Sequence, residues 1–291
     1  MSLSELKAMI SLLDDEQAIV RQVLQDLIAN GHSMYDELED ICMSGNENEE
    51  ITARIEYVLQ RIKLKQIKPK IAELLPNCET KLPEILHLTA QLFYPRADFE
   101  TLKVAIHAIR KSVERETNPT YSLTHNIAEC SRVLYDTYKF RLPDRDNQNL
   151  PVNYIIDDVL STSCGNELIF CLLYYHIAAQ FLKLPIETVL IQQIPFLAAK
   201  NITRKTSRQL SSEIACYINP ADGGKIYTRK EIEQLLKEND IPFETQMLLP
   251  CPPIKVIHAY WLKMNNILSR NEQYDLAQSL KELAALIDIE N

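Results

Sequence analysis

At 291 residues with 46% hydrophobic side chains, the chain is long enough for one large or two to three small domains with proper cores, so it needs no covalent staples. A formal net charge of -9 and a pI near 5.3 disfavour nucleic acid, whose phosphates are bound through a surplus of Lys and Arg. Seven scattered cysteines without a Cys-x-x-Cys pair argue for reduced thiols in a cytoplasm and against a disulfide framework or zinc site.

The opening Met1-Ser2-Leu3-Ser4-Glu5-Leu6-Lys7 meets an acidic residue almost at once, which is not the layout of a secretory leader. Apolar positions at helical spacing over residues 3–31 predict two helices meeting at Asp14-Asp15 and ending at Gly31. This layout resembles one hairpin of a HEAT repeat, a unit that stacks on neighbours to bury its faces. The polar segment 44–50 reads as a loop, followed by an amphipathic helix from 51 to roughly 65. Its basic run, Arg61, Lys63, Lys65, Lys68 and Lys70, has two readings: a solvated helix face, or a docking patch for an acidic partner.

Three more helices are expected between 82 and 140, with breaks at 94–98 and 117–119, where proline biases its predecessor out of helical geometry. A loop rich in Asp, Asn, Gln and Pro follows over 142–151, then a short helix over 152–160. After the turn at 161–166, Ser163 or Asn166 caps the next helix, with Glu167 in its first turn. That helix is apolar nearly all round through Leu172, Leu173, Tyr174, Ile177, Ala178, Phe181 and Leu182, so it belongs inside a core; at 168–182 it is too short to span a membrane.

Two antiparallel strands are read at 187–191 and 214–218, joined by a polar stretch, 200–212, expected to be an exposed loop. Asn219-Pro220-Ala221-Asp222-Gly223-Gly224-Lys225 is a tight turn holding two of only five glycines. Thr228 and Glu231 then fit a capping box. Residues 254–289 form two amphipathic helices separated near 269–272, a pair that resembles a tetratricopeptide unit.

Several of these features occur in one order. Gly165-Asn166 opens a buried helix, Tyr174 and Ile177-Ala178 lie inside it, and Leu184-Pro185-Ile186 ends it. Ile218-Asn219-Pro220 with Gly223-Gly224 makes the turn, Thr228-Arg229-Lys230-Glu231 follows, and Pro250-Cys251 precedes the last hairpin. From about residue 85 onward the chain therefore resembles the SirB-type family of bacterial transglutaminase-like proteins. The resemblance implies an α+β, predominantly helical fold: a cysteine-protease-like core with a small antiparallel sheet, flanked by helical hairpins. It divides the chain into HEAT-like hairpins at 1–75, a transglutaminase-like domain with preceding helices at 76–245, and a tetratricopeptide-like hairpin at 246–291.

Transglutaminase-like catalysis needs a cysteine at the start of the buried helix, a histidine on the next strand and an Asp or Asn on the strand after it. By the resemblance, the first position falls on Ile169 or Phe170, because the helix carries an extra residue before Leu184. The second falls on or beside Ile194, with Pro195 following, and suggests a strand edge or bulge; the third falls on Asn219. No histidine lies between His176 and His258. The expected protein is thus a catalytically degenerate, cytoplasmic scaffold that binds another protein and uses no cofactor, metal, membrane or nucleic acid. The alternatives are a thiol-dependent hydrolase or transferase using a displaced Cys164, and a small-ligand or peptide module using a remnant cleft around Gly165, Asn166, Asp222, Gly223 and Gly224. Cys171 and Cys216 read as core thiols, His176 as a core or cleft histidine, and Asp222 as a turn residue or a ligand contact.

Overall fold

Several helices begin where a side chain can satisfy their free amides. In the computed structural model, which describes residues 2–14, 17–44, 48–205 and 209–288, helix α1 (Leu3–Ser11) opens on a capping box between Ser2 and Glu5. Helix α2 (Gln17–Asn30) stops at Gly31, where a Cβ would come 2.8 Å from Ile62 Cδ1. Asp14 lies in the 3-10 turn between these helices, and Asp15 lies outside the described residues. Helix α3 (Tyr35–Ser44) was not legible as an apolar pattern, since Leu38 is its one buried side chain.

Helix α4 (Glu49–Leu74), capped by Asn48, corrects the expected end near 65: it runs straight through Pro69. Leu64, Ile67 and Ile71 stay buried along one face, and that burial outweighs the roughly 3 kcal/mol of a mid-helix proline. One apolar core holds Leu6, Leu13, Leu27, Leu38, Ile55 and Ile62; a larger one begins at Leu64 on the same helix and reaches Ile287.

The basic run on α4 divides: Lys70 is an exposed, solvated side chain, whereas four of the five residues reach groups of the chain itself. Arg61 and Lys68 both reach Glu282, at 2.7 and 3.3 Å, while Lys63 donates to Pro95 O and stands over the Tyr35 ring, and Lys65 donates to Ile28 O. The acidic group it meets is the chain's own. Burial by itself would raise the Glu282 carboxyl, but the hydrogen bonds and charges of Arg61 and Lys68 outweigh it and hold the group below the usual carboxylate range. Glu282→Gln is expected to cost about 1 kcal/mol, a partly exposed charged pair being worth less than a buried one. Because the folded pKa is depressed, this contribution is present above about pH 4.3, the unfolded value, and fades as pH falls through the folded one. Denaturant melts of both proteins at pH 7 and pH 3 check this: the difference should shrink at pH 3, and no difference at pH 7 would refute the clamp.

Helices α5 (Cys78–Ala90), α6 (Phe99–Glu116) and α7 (Leu123–Ser131) follow with the expected breaks. Asp98 caps α6 through two backbone amides and Ser122 caps α7 through one. The helix expected over 152–160 starts later, as α8 (Ile156–Thr162), because Ile155 is extended and closes a separate 3-10 turn, Pro151–Tyr154. Asn166, not Ser163, caps α9 (Glu167–Tyr175); Ser163 ends α8 in the left-handed region at φ 56°. Helix α9 continues as a π turn, His176–Phe181, the form in which a helix takes up one extra residue without losing its course. The surplus residue noted before Leu184 therefore has a physical home.

The sheet has four antiparallel strands in the order β1-β2-β3-β4: β1 (Ile186–Ile191), β2 (Ile194–Lys205), β3 (Gln209–Asn219) and β4 (Lys225–Tyr227). Side-chain alternation covers both faces. Leu197, Ala199, Cys216 and Ile218 join the large core with α9. Phe196, Ala198, Tyr217 and Tyr227 face a third core with Ile232 and Leu236 of α10 (Arg229–Glu238), whose capping box is formed by Thr228 and Glu231 as expected.

The segment 200–212 corrects the predicted loop. After a register shift at Ala199/Lys200 its main chain pairs from Lys200↔Ile214 to Lys205↔Gln209, with 206–208 outside the described residues. A ladder is made by backbone groups, so a polar stretch can form one; apolar alternation marks only strands that pack on a core. Helices α11 (Pro253–Arg270) and α12 (Tyr274–Ala284) complete the large core, Trp261 donating to Thr89 Oγ1 at 3.1 Å and Tyr260 to Tyr154 O at 2.8 Å. Among the described residues no helix is long and apolar enough to cross a membrane.

Candidate functional site

Three elements meet where the buried helix crosses the sheet: α9 packs on β2 and on the Pro220–Asp222 turn that follows β3. Asn166 fixes the start of α9. Its Oδ1 accepts from the amides of Leu168 at 2.8 Å and Ile169 at 3.1 Å, and its Nδ2 donates to Asn153 O at 2.8 Å. Gly165 has no room for a side chain, since a Cβ would come 2.8 Å from both methyls of Val159 and 3.2 Å from Phe170.

Ile169 is 0% exposed and Phe170 is buried beside it, its ring facing Tyr135 and Phe140. Ile194 opens β2 opposite Ile191 and is 40% exposed. It closes a two-residue hairpin in which Gln192 and Gln193 both take positive φ, 48° and 73°, the geometry that joins twisted antiparallel strands. Pro195 pairs with Leu190 and lies beyond Leu197↔Ile218, the last β2–β3 pair on that side, so its missing donor breaks no bond to β3. Asn219 ends β3 with its Oδ1 accepting from the Ala221 amide at 2.9 Å, which holds the turn.

The glycine turn is clamped from the helical side. Tyr135 donates to Pro220 O at 2.9 Å, and Ser131 Oγ lies 3.1 Å from Gly224 O and 2.9 Å from the Tyr174 hydroxyl, which in turn reaches Ile127 O at 3.1 Å. Two hydroxyl protons serve three contacts, so the group is a coupled network. Gly224, at φ 71°, sits against this network, whereas Gly223, at φ 59°, has open space beside it. Asp222 accepts from Tyr227 at 2.6 Å. The sequence reading missed Ser131 and Tyr135; only their distance from the turn in space, and no pattern in the chain, reveals them.

Cys164 is half-buried in a short parallel bridge with Arg141, its Sγ 3.8 Å from Asn153 Oδ1. Cys171, two residues beyond Ile169, is the thiol that meets β2, 3.8 Å from Phe196 O; burial pushes it well above the ordinary thiol range. Burial likewise raises Cys216, and pushes Cys130 up to about 12. Among the described residues no histidine hydrogen-bonds a cysteine, and no group of three or more His, Cys, Asp or Glu side chains is placed to hold a metal ion. His176 lies in the π turn, edge-on to Phe181, and burial, followed by the charge of Arg110, lowers it to about 4.

Comparison with known proteins agrees with this geometry. Residues 100–260 match the family described as the transglutaminase-like superfamily, a span that takes in α6 through the first half of α11 and the whole sheet. No curated protein and no solved structure matches the chain.

Proposed function

The chain belongs to the transglutaminase-like superfamily, and on that premise we infer that it is a catalytically degenerate member acting as a protein-interaction or regulatory scaffold. The observation that carries this reading is at Ile169 and Phe170, the two positions on which the resemblance sets the family's thiolate: both are hydrocarbon side chains, exposed 0% and 3%. The strands contribute no imidazole either, since residues 186–227 contain no histidine. A thiol transfer without nucleophile or base has no route to its tetrahedral intermediate.

Within this reading the chain is a SirB-type protein of the cytoplasm. Its HEAT-like hairpins occupy 1–75, the transglutaminase-like domain with its preceding helices 76–245, and the tetratricopeptide-like hairpin 246–291. Amphipathic helical hairpins at both ends favour a protein partner, because stacked hairpins offer extended surfaces. On this account Gly165, Asn166 and Gly224 serve packing and capping, and only Asp222 and Gly223 of the remnant cleft stay open.

The rival thiol enzyme makes a separable prediction. In native protein treated with an iodoacetamide probe near pH 6, all seven cysteines are expected to react slowly, with labelling released by denaturant. Fast labelling confined to Cys164 would replace the scaffold with a displaced nucleophile. Affinity capture on the full chain tests the partner directly; repeated capture that returns no reproducible protein removes the scaffold role.

A further inference from the structure

Helices α5 and α6 and the π turn line an open groove of about 490 Å3 whose walls include Pro83, Phe99, Val104, Ile106, His176 and Phe181. Its size is that of a small-molecule site. None of the strands contributes to it, so it is separate from the family cleft.

The charges around it are already engaged. Lys103 pairs with Glu100 at 2.6 Å and stands over the Phe99 ring, Glu84 pairs with Lys81 at 3.2 Å, and Arg110 pairs with Glu114 at 2.7 Å with its guanidinium over Phe181. No unpaired charge is therefore offered to an ionic ligand. Thr80, His107 and His176 are its other polar groups, and His176 alone of them is buried. His176 is 5% exposed; its Nδ1 is buried without a hydrogen-bond partner, so Nε2 is the ring nitrogen that a ligand can reach. Burial and Arg110 hold its imidazole neutral at pH 7, with one nitrogen donating and the other accepting. A π turn, a form that recurs at functional sites, supplies both His176 and Phe181.

The geometry points to a binding site for an uncharged aromatic alcohol, its ring among Phe99, Val104 and Phe181 and its hydroxyl hydrogen-bonded to His176 Nε2. A hydroxyl both donates and accepts, so it suits a neutral imidazole in either tautomer. Aromatic rings on two sides favour a flat body over a branched one.

The test is a titration of the full chain with 4-ethylphenol, read by the histidine ring resonances in NMR. A saturable shift of His176 is expected, with Kd about 1 mM or tighter for so small a ligand. Val104 is 68% exposed at the mouth, so Val104→Arg should block entry without harming the fold and weaken binding about tenfold or more. His176→Phe should weaken it about fivefold, the worth of one net hydrogen bond. The charged analogue 4-ethylbenzoate should bind at least about tenfold more weakly than the alcohol. Non-saturable shifts, a Val104→Arg protein that binds as well as the parent, or equal affinity for the benzoate would each overturn the site; if His176→Phe does not fold, the Val104 variant and the benzoate decide.

Discussion

Gly224→Ala is expected to destabilise the protein by about 3 kcal/mol, against about 1 kcal/mol for Gly223→Ala. Both glycines hold positive φ, 71° and 59°, so both substitutions carry the same left-handed strain. They differ in what the new methyl meets. At Gly223 it meets nothing within 4 Å; at Gly224 it would come 2.8 Å from Ser131 Cβ and 2.8 Å from the Tyr135 ring. Ser131 cannot retreat without loosening its contacts to Tyr174 and to Gly224 O, so overpacking and lost hydrogen bonds add to the strain. Urea melts of the two variants check the difference. Equal losses would mean that the turn is not pressed against α7.

Trp261→Ala should cost about 4 kcal/mol. This is the chain's one tryptophan, fully buried at the centre of α11, and its indole N–H donates to Thr89 Oγ1, which itself donates to Ile85 O. Removing the ring leaves a large void and takes away the donor that met the Thr89 hydroxyl. Trp261→Phe keeps most of the volume and should lose about half as much, chiefly the hydrogen bond and the residual gap. Circular dichroism follows both variants, since neither retains the fluorophore. In the parent, the emission should shift to the red in one transition that coincides with loss of helix. A shift that precedes the loss of helix would show that α11 and α12 leave the large core first, contrary to the single cluster they share with α9.

Both predictions, like the functional reading, turn on how much of the molecule can be read from short stretches of chain. The buried character of α9 was plain, because eight consecutive side chains from Leu168 to Tyr175 are buried and most are hydrocarbon or aromatic. The capping box at Thr228 and Glu231 and the breaks before α6 and α7 were equally plain, since caps and prolines act within a few residues. The arm formed by the outer halves of β2 and β3 was not, because its pairing is made by main-chain groups that leave no apolar signature. The basic run on α4 misled for a related reason: its counter-charge, Glu282, stands more than two hundred positions away.

By itself, then, the sequence determined most of the helical segments, the strands near 189 and 216, the glycine turn, and the missing imidazole between His176 and His258. These follow from periodicity, capping and residue identity, which are local properties. Tertiary structure alone decided that Arg61 and Lys68 close on Glu282, that Ser131 and Tyr135 seal the turn at Gly224, and that a π turn sets His176 beside a groove to which no strand contributes. Each of those arrangements joins side chains on separate elements. Their partners are chosen by which faces the packed cores bring together, and no spacing within one segment encodes that choice.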